Sequence, residues 1–432
     1  MSSIGFFPLP EPSHVSATFG IAKALKLRGH RVKYIAPLEF EELITNQEFD
    51  YIPFCEDLMP KGSYHRVGTP FTNRELGLKM LQMICKGQLD GVIRHSQLDL
   101  FVVDSYAQHM ALIGYKIGIP TILMSPTIPR ARDPQVPPVM EPIVPKSLLS
   151  RLNIRLCWCK HDLARLYMAI KGLREQFIKQ IAISVNYPLS QIDYRGIYPI
   201  LKLMPELVLC PQEFDLPRSR AEKFLHYIGA YTNQQRGESP EFPWEKIKED
   251  KPLIYAALGS LSHRFKEARS FLQTIIDAVA VRQDLQLVLS TGEHLNANDF
   301  RRQSSNVILV SRAPQIDILK RADVMITHGG LNSVKECIMQ AVPMIVLPWT
   351  KPVNAVRVVY HGLGLMGDVR KVSAKQIQSM IDTILKNPSF RMHAESMREK
   401  FIEADRSDLG VKAIELVLSA RSTKVLMGNT LQ

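Results

Sequence analysis

A short run of glycines and polar residues in the second half of the chain predicts a site for an anion. The letters THGG at 327–330 follow an apolar run typical of a buried strand, and Asn332 and Ser333 begin a segment of helical character. Main-chain N–H groups are free at a helix N-terminus, and the helix dipole attracts negative charge there. We therefore expect a phosphate or diphosphate to be held by His328, Gly329, Gly330, Asn332 and Ser333.

Strands and helices alternate on both sides of this turn, which predicts parallel α/β sheets covered by helices. In the first half we expect strands at 4–7, 32–36, 100–103 and 121–123. In the second half we expect strands at 253–258, 286–289, 307–310, 324–326 and 344–347. Ligands of such sheets bind beyond the carboxyl ends of the strands, and 327–330 and Gly259–Ser260 both occupy such positions.

Length and composition predict two domains in a reduced compartment. At 432 residues each half can bury its own core. The proline-rich stretch 128–145 predicts a loop, and the polar stretch 231–252 predicts a linker. The chain lacks an apolar run of ~18 residues and a signal-peptide pattern, and its six cysteines are scattered, so we expect a cytoplasmic protein. The predicted units are 1–230, a linker at 231–252, 253–405, and a C-terminal helix and tail at 406–432 that pack back on the first domain.

The net charge of +12 collects partly in the segment 146–179. Leucines and cationic residues interleave there at helical spacing. The first interpretation is a surface helix with a solvated basic face. The second is peripheral contact with an anionic membrane. Nucleic-acid binding is the least supported interpretation, because the basic residues lack interleaved aromatic side chains.

The segment RAPQIDILKRADVMITHGGLNSVKECIMQAVPMIVLPWTKPVNA at 312–355 resembles the donor-binding signature of UDP-glycosyltransferases, in particular the bacterial macrolide and carotenoid type. The resemblance implies a GT-B fold, with two Rossmann-like domains that face a central cleft. It also implies an inverting, metal-independent hexosyl transfer that uses a nucleotide sugar as cosubstrate and needs no other cofactor. The implied acceptor is a hydroxyl of a hydrophobic small molecule or lipid, such as a polyketide, carotenoid or sterol.

The same resemblance assigns roles to single residues. The family has a catalytic His in the loop after its first strand, which corresponds to His14, and an Asp that orients it, which corresponds to Asp104. A capping role at a helix N-terminus is the structural alternative for Asp104. Glu336, expected on the first turn of its helix, would bind the ribose, and Gln315 with the backbone of Ala313 would bind the base. The full set expected to bind the donor is Gly259, Ser260, Arg312, Ala313, Gln315, His328, Gly329, Gly330, Asn332, Ser333, Glu336 and Asn354.

Two positions depart from the family pattern. Arg312 stands where the family usually has a Trp that stacks on the base, although a guanidinium plane can also stack. The loop 348–354 reads PWTKPVN and lacks the Asp-Gln pair that contacts the sugar. We expect weaker selection for glucose and a donor such as a deoxy, N-acetyl or acidic sugar contacted by Lys351. The alternative is that another segment of the chain supplies the sugar contacts.

Two alternative functions remain on the same fold. A nucleotide-sugar epimerase would place carboxylates beside the sugar and would not need His14 with Asp104. A non-catalytic partner of another transferase would bind nucleotide sugars only, which the lost Asp-Gln pair slightly favours.

Overall fold

Apolar runs of the sequence form the strands of two parallel sheets, each covered by helices. A computed structural model describes residues 1–62, 73–170, 176–233, 241–259, 262–301 and 304–428. Each predicted strand is present with bounds that differ by one or two residues at most. The α/β fold class predicted from the alternation of elements is therefore confirmed.

The first sheet contains seven strands in the order β3-β2-β1-β4-β5-β8-β9. In chain order the strands of the first half are β1 (Ser3–Phe7), β2 (Arg31–Ala36), β3 (Asp50–Pro53), β4 (Leu100–Asp104), β5 (Thr121–Ser125), the antiparallel pair β6 (Ile192–Asp193) and β7 (Ile200–Leu201), β8 (Glu206–Val208) and β9 (Leu225–Tyr227). Its helices are α1 (Pro12–Ala17), α2 (Phe19–Leu27), α3 (Glu41–Thr45), α4 (Arg74–Cys85), α5 (Asp90–His95), α6 (Gln108–Ile117), α7 (Leu148–Ile170) and α8 (Gln176–Ser184).

The second sheet contains six strands in the order β12-β11-β10-β13-β14-β15. They are β10 (Leu253–Ala257), β11 (Gln286–Ser290), β12 (Val307–Val310), β13 (Val324–Thr327), β14 (Met344–Val346) and β15 (Gly364–Met366). The helices are α9 (Ala268–Ala280), α10 (Gln315–Leu319), α11 (Leu331–Met339), α12 (Val353–Tyr360), α13 (Ala374–Lys386), α14 (Ser389–Arg406) and α15 (Leu409–Gly428).

Each sheet has a topological switch point, at which the strand order reverses direction. The turns that carry the candidate site residues lie at these two points. In the first sheet β1 pairs with β4 on one side and with β2 on the other, so the chain leaves β1 and β4 in opposite directions. In the second sheet β10 and β13 have the same relationship. Crevices open beyond the carboxyl ends of strands at such points. The turns that carry His14 and Asp104 therefore neighbour each other, as do those that carry Gly259 and His328.

Several elements join the two domains. Buried Val208, Cys210 and Phe214 of the first domain pack in one hydrophobic cluster with residues of the second sheet. The C-terminal helix α15 returns to the first domain, where Val411 and Ile414 are buried beside α2. The stretch 128–145 forms neither helix nor strand.

The long helix α7 agrees in part with the first interpretation of the basic segment. Its leucines at 148, 149, 152, 156, 163 and 166 are exposed, whereas Ile154 and Trp158 face the protein. The expected surface helix is present and its basic residues Arg151, Arg155 and Lys160 are exposed, but its solvent-facing side is also rich in leucine.

Candidate active site

His14 and Asp104 meet at the switch point of the first sheet. Nδ1 of His14 lies 2.7 Å from Oδ2 of Asp104, and the carboxylate is almost fully buried. The other carboxylate oxygen accepts a hydrogen bond from the main-chain N–H of Tyr106 at 2.8 Å. Asp104 therefore caps the turn that follows β4 and also holds the imidazole.

A short helix positions His14, rather than the loop expected from the sequence. Pro12 occupies the first position of α1, where its missing N–H costs nothing, and the carbonyl of Glu11 accepts from the N–H groups of His14 and Val15. His14 thus lies on the first turn of α1. A single helical turn with a proline start has too few residues to show a periodic pattern in the sequence.

The environment of His14 favours its protonated form. Burial alone would lower the pKa of His14, but the carboxylate of Asp104, its hydrogen bond and the nearby charge of Glu11 together raise the pKa above its ordinary value. Because Nδ1–H donates its hydrogen bond to the Asp104 carboxylate, Nε2 is the ring nitrogen left to accept a proton from a ligand. This geometry suits a general base whose imidazolium form is stabilised.

The THGG turn lies at the switch point of the second sheet and leads into α11. Gly330 is the N-cap residue of α11, and Gly329 has a φ of +85° that favours glycine. Gly259 approaches the turn from the end of β10, with a φ of +78°. A Cβ added to Gly259 would lie 2.5 Å from Cε1 of His328. The close packing of these two loops therefore requires glycine at 259.

His328 is neutral in this environment. Burial lowers its pKa to about 4. Within the described residues, Nδ1 of His328 is buried without a hydrogen-bond partner. His328 can offer an N–H to a ligand, but it carries no positive charge near neutral pH in the unliganded protein. A neutral His328 can add a hydrogen bond to an anion, and the N-terminus of α11 supplies a positive field.

Gln315, Ser333 and Glu336 form one polar cluster beside the turn. The side-chain amide of Gln315 donates to the carboxylate of Glu336 and to Oγ of Ser333 at 3.3 Å, and its carbonyl accepts from the hydroxyl of Tyr255 at 3.2 Å. Glu336 is buried, and it lies on the second turn of α11 rather than the first. The structure thus brings three of the predicted donor residues together.

Two asparagines that were expected to bind the donor instead donate hydrogen bonds to main-chain carbonyls. Nδ2 of Asn332 donates to the carbonyl of Ser13 at 2.9 Å and so links α11 to the residue before His14. Nδ2 of Asn354 donates to the carbonyl of Gly329 at 2.8 Å and holds the turn from α12. Oδ1 of Asn354 is buried and lacks a partner in the part of the chain that the structure describes.

The remaining predicted residues lie at the margin of the site. Arg312 is well exposed, with an ion pair of 3.4 Å to Glu293, and Ala313 is partly buried against the second domain's core. Ser260 lies outside the described residues.

Sequence reasoning named Lys351 as a sugar contact but missed the residues around it that tie the two domains together at the site. Nζ of Lys351 lies 2.9 Å from the hydroxyl of Tyr198 and 3.4 Å from that of Tyr106. The ring of Tyr106 meets the ring of His14 edge-on at 5.6 Å between centroids. Arg264 pairs with Glu11 at 2.8 Å. The position of Tyr106 two residues after Asp104 was the one available signal, because residues that follow a strand end share its crevice.

A small cavity of about 10 Å³ adjoins Tyr198. Its lining is mainly apolar and includes Val136, Val139, Trp158 and Ile197, together with Arg130. The guanidinium of Arg130 lies 4.4 Å from the centroid of Tyr106. Among the described residues, no three His, Cys, Asp or Glu side chains gather in a way that would hold a metal ion.

Known glycosyltransferases match the chain over nearly its full length. The family described as "Erythromycin biosynthesis protein CIII-like, C-terminal domain" matches residues 273–408. Zeaxanthin glucosyltransferase of Pantoea ananas is 25% identical over 406 residues, which are 89% of each chain.

Solved structures show the same fold. The glycotransferase of kitacinnamycin superposes with a TM-score of 0.68 at 21% identity, covering 96% of this chain and 99% of that one. The glycosyltransferase VinC in complex with dTDP gives a TM-score of 0.64 at 16% identity, covering 97% and 100% of the two chains. The chain therefore has the GT-B fold, and its sequence is similar to those of bacterial glycosyltransferases.

Proposed function

We propose that this protein is an inverting glycosyltransferase that moves a sugar from a nucleotide diphosphate to a hydroxyl of a hydrophobic small molecule or lipid. The observation that carries the proposal is the apposition of the two switch points. The His14–Asp104 pair belongs to the first domain, and the amide of Asn332 on α11 reaches the carbonyl of Ser13 beside it. The proposed general base and the proposed anion-binding helix terminus thus lie close together, on the two sides of this contact.

His14 is the proposed base. The acceptor hydroxyl gives its proton to Nε2 of His14 while its oxygen forms a bond to the anomeric carbon of the sugar. The bond from that carbon to the diphosphate oxygen breaks at the same time, and the electron pair leaves with the diphosphate. Attack from the face opposite the nucleotide inverts the anomeric centre. Asp104 stabilises the imidazolium that forms.

The second domain is proposed to bind the leaving group. The main-chain N–H groups at the start of α11 and the N–H of His328 would stabilise the charge that develops on the diphosphate, so the transfer needs no metal ion. Gln315 and Glu336 would bind base and ribose. The dTDP complex of VinC supports a nucleotide diphosphate as the donor, and either a uridine or a thymidine nucleotide fits the proposal.

The acceptor is proposed to be hydrophobic. The support is the relative from Pantoea ananas, whose name, zeaxanthin glucosyltransferase, refers to a carotenoid. The experiment below tests which lipophilic alcohols serve as the acceptor.

The test is a panel of UDP- and dTDP-sugars, assayed by nucleotide release with and without lipophilic alcohols. We expect release that depends on the acceptor, and His14→Gln should reduce it by about 10²- to 10⁴-fold, the usual contribution of a general base. His95→Gln, at an exposed histidine of α5, is the matched control and should leave the rate unchanged.

Other outcomes would replace the proposal. Nucleotide affinity without release in any combination would favour a non-catalytic binding partner. An epimerised donor in the absence of acceptor would favour the epimerase. A His14→Gln variant with the wild-type rate would disprove the assignment of the base.

A further inference from the structure

The outward side of α7 is an apolar face that no other described part of the protein covers. Seven of its large apolar side chains are each more than half exposed: Leu148, Leu149, Leu152, Leu156, Leu163, Leu166 and Tyr167. Isolated exposed leucines are common on protein surfaces, but a contiguous group of this size marks an interaction site. We call these seven residues the leucine face.

The leucine face points directly away from the protein. At 100° per residue, its members fall within an arc of about 100° on the helix. Ile154 and Trp158 lie on the opposite side and are buried. Trp158 fixes this orientation, because its Nε1 donates to the carbonyl of Val136 at 2.9 Å. The helix therefore cannot bury the leucines by rotating without breaking that contact.

Cationic side chains flank the leucine face on both margins. By the same helical spacing, Arg151 and Arg155 lie along one margin and Lys160 along the other, and all three are exposed. The single acidic residue of the helix, Asp162, is paired with Arg132 at 2.7 Å. An apolar stripe between positive margins matches the layered chemistry of an anionic membrane surface, with acyl chains below and phosphates at the level of the cations.

We propose that α7 binds in the plane of an anionic membrane surface, with the leucine face in the acyl boundary and Arg151, Arg155 and Lys160 on lipid phosphates. The helix lies on the membrane and does not cross it. No helix in the described ranges is long and apolar enough to span a bilayer.

The charge pattern favours a membrane over a second copy of the chain. A symmetric pair through the leucine face would place the same patch on both subunits. The margins of that interface would then carry exposed Arg and Lys residues from both chains. The acidic residue of α7, Asp162, is already paired with Arg132 and would not balance their charge. Lipid phosphates supply the missing negative charge.

The experiment is flotation of the full chain with vesicles of phosphatidylcholine alone and of phosphatidylcholine with phosphatidylglycerol. We expect binding to the anionic vesicles that weakens as salt is raised, and little binding to the neutral ones. The triple substitution Leu152→Ser, Leu156→Ser and Leu163→Ser should weaken binding about tenfold or more, since apolar burial supplies the attachment. Arg151→Glu with Arg155→Glu should weaken it on anionic vesicles only.

A matched control removes three exposed apolar side chains elsewhere: Leu27→Ser, Val281→Ser and Leu416→Ser. This variant should float as the wild type does, and circular dichroism should show both triple variants folded. The proposal is overturned if the wild type fails to float, or if the α7 variant floats equally well. It is also overturned if the leucine substitutions convert a dimer to a monomer while vesicles stay unbound, which would assign the face to a second copy.

Flotation involves no sugar transfer, so the two proposals fail independently. Vesicle binding with no nucleotide release would leave the membrane proposal standing and count against the transferase. If both hold, the α7 variant should lose activity on an acceptor embedded in vesicles and keep its activity on a water-soluble alcohol.

Discussion

Nζ of Lys351, in the loop that lacks the family's Asp-Gln pair, reaches across the cleft to the hydroxyl of Tyr198 at 2.9 Å. The rings of Tyr106 and Tyr198 lie 5.0 and 4.9 Å from the ammonium. Burial alone would lower the pKa of Lys351, but the two tyrosines raise it above its ordinary value. The loop therefore holds a positive charge beside the two tyrosines.

This charge predicts a preference among donors. Lys351→Met should raise the KM for a nucleotide sugar with a carboxylate by about tenfold, the scale of one charge-assisted hydrogen bond, and change the KM for a neutral sugar less. Steady-state kinetics with matched pairs, such as a hexose and its uronic acid, measure the difference. Lys146→Met is the control, because Lys146 also crosses between the domains, to the carbonyl of Val359 at 2.9 Å. Equal losses for both donors would contradict the prediction.

The His14–Asp104 pair predicts a shifted pH profile. The base must be neutral to accept a proton, so kcat/KM should rise with pH through the pKa of His14, which lies above the ordinary value of ~6.5. Asp104→Asn removes the group that raises this pKa and leaves the burial that lowers it. We expect the acid limb of the profile to move to lower pH and the maximum rate to fall. A limb that stays in place would show that another group titrates.

The contact between Gly259 and His328 predicts a specific loss of nucleotide affinity. Gly259→Ala places a methyl group 2.5 Å from the imidazole and should displace it, which weakens binding of a nucleoside diphosphate. Gly29→Ala is the matched control, because Gly29 has a similar φ of +85° and no atom within 4 Å of the added Cβ. Both variants should lose about 1 kcal/mol of stability from backbone strain. Calorimetric titration should find weaker nucleotide binding in the Gly259 variant alone.

A buried ion network predicts a large effect on stability. Asp215 accepts from Nε of Arg357 at 2.8 Å and from Nε of Arg218 at 2.9 Å, and Arg357 is almost fully buried. Asp215→Asn leaves two guanidinium groups without a counter-charge and should cost about 3–5 kcal/mol in urea unfolding at pH 7. Asp382→Asn, which removes a partly exposed partner of Arg282, should cost less than about 1 kcal/mol.

The same network has a defined pH dependence. Burial alone would raise the pKa of Asp215, but Arg357 and Arg218 hold it well below its usual range. The stabilisation is therefore complete above the unfolded pKa of about 3.9 and is lost as the pH falls below it. Unfolding curves should show the wild type losing more stability than Asp215→Asn between pH 5 and pH 3. Parallel losses would indicate that other carboxylates dominate the acid limb.

The sequence by itself determined the fold class and the position of the THGG turn. Parallel strands are continuous apolar runs, and the THGG turn with its following helix is local in the chain, so both leave a pattern that can be read. The sequence also placed His14 and Asp104 after their strands, although their roles came from a family resemblance and await the kinetic tests.

Only the tertiary structure decided which of these groups meet. His14 and Asp104 are 90 positions apart, and Ser13 and Asn332 are 319 apart, so strand order and domain packing bring them together. The same holds for the direction of α7. Its sequence is apolar on two sides, with Ile154 and Trp158 on one and the leucine face on the other, and helical periodicity cannot choose between them. The contact of Trp158 with Val136 makes that choice and leaves the leucines exposed.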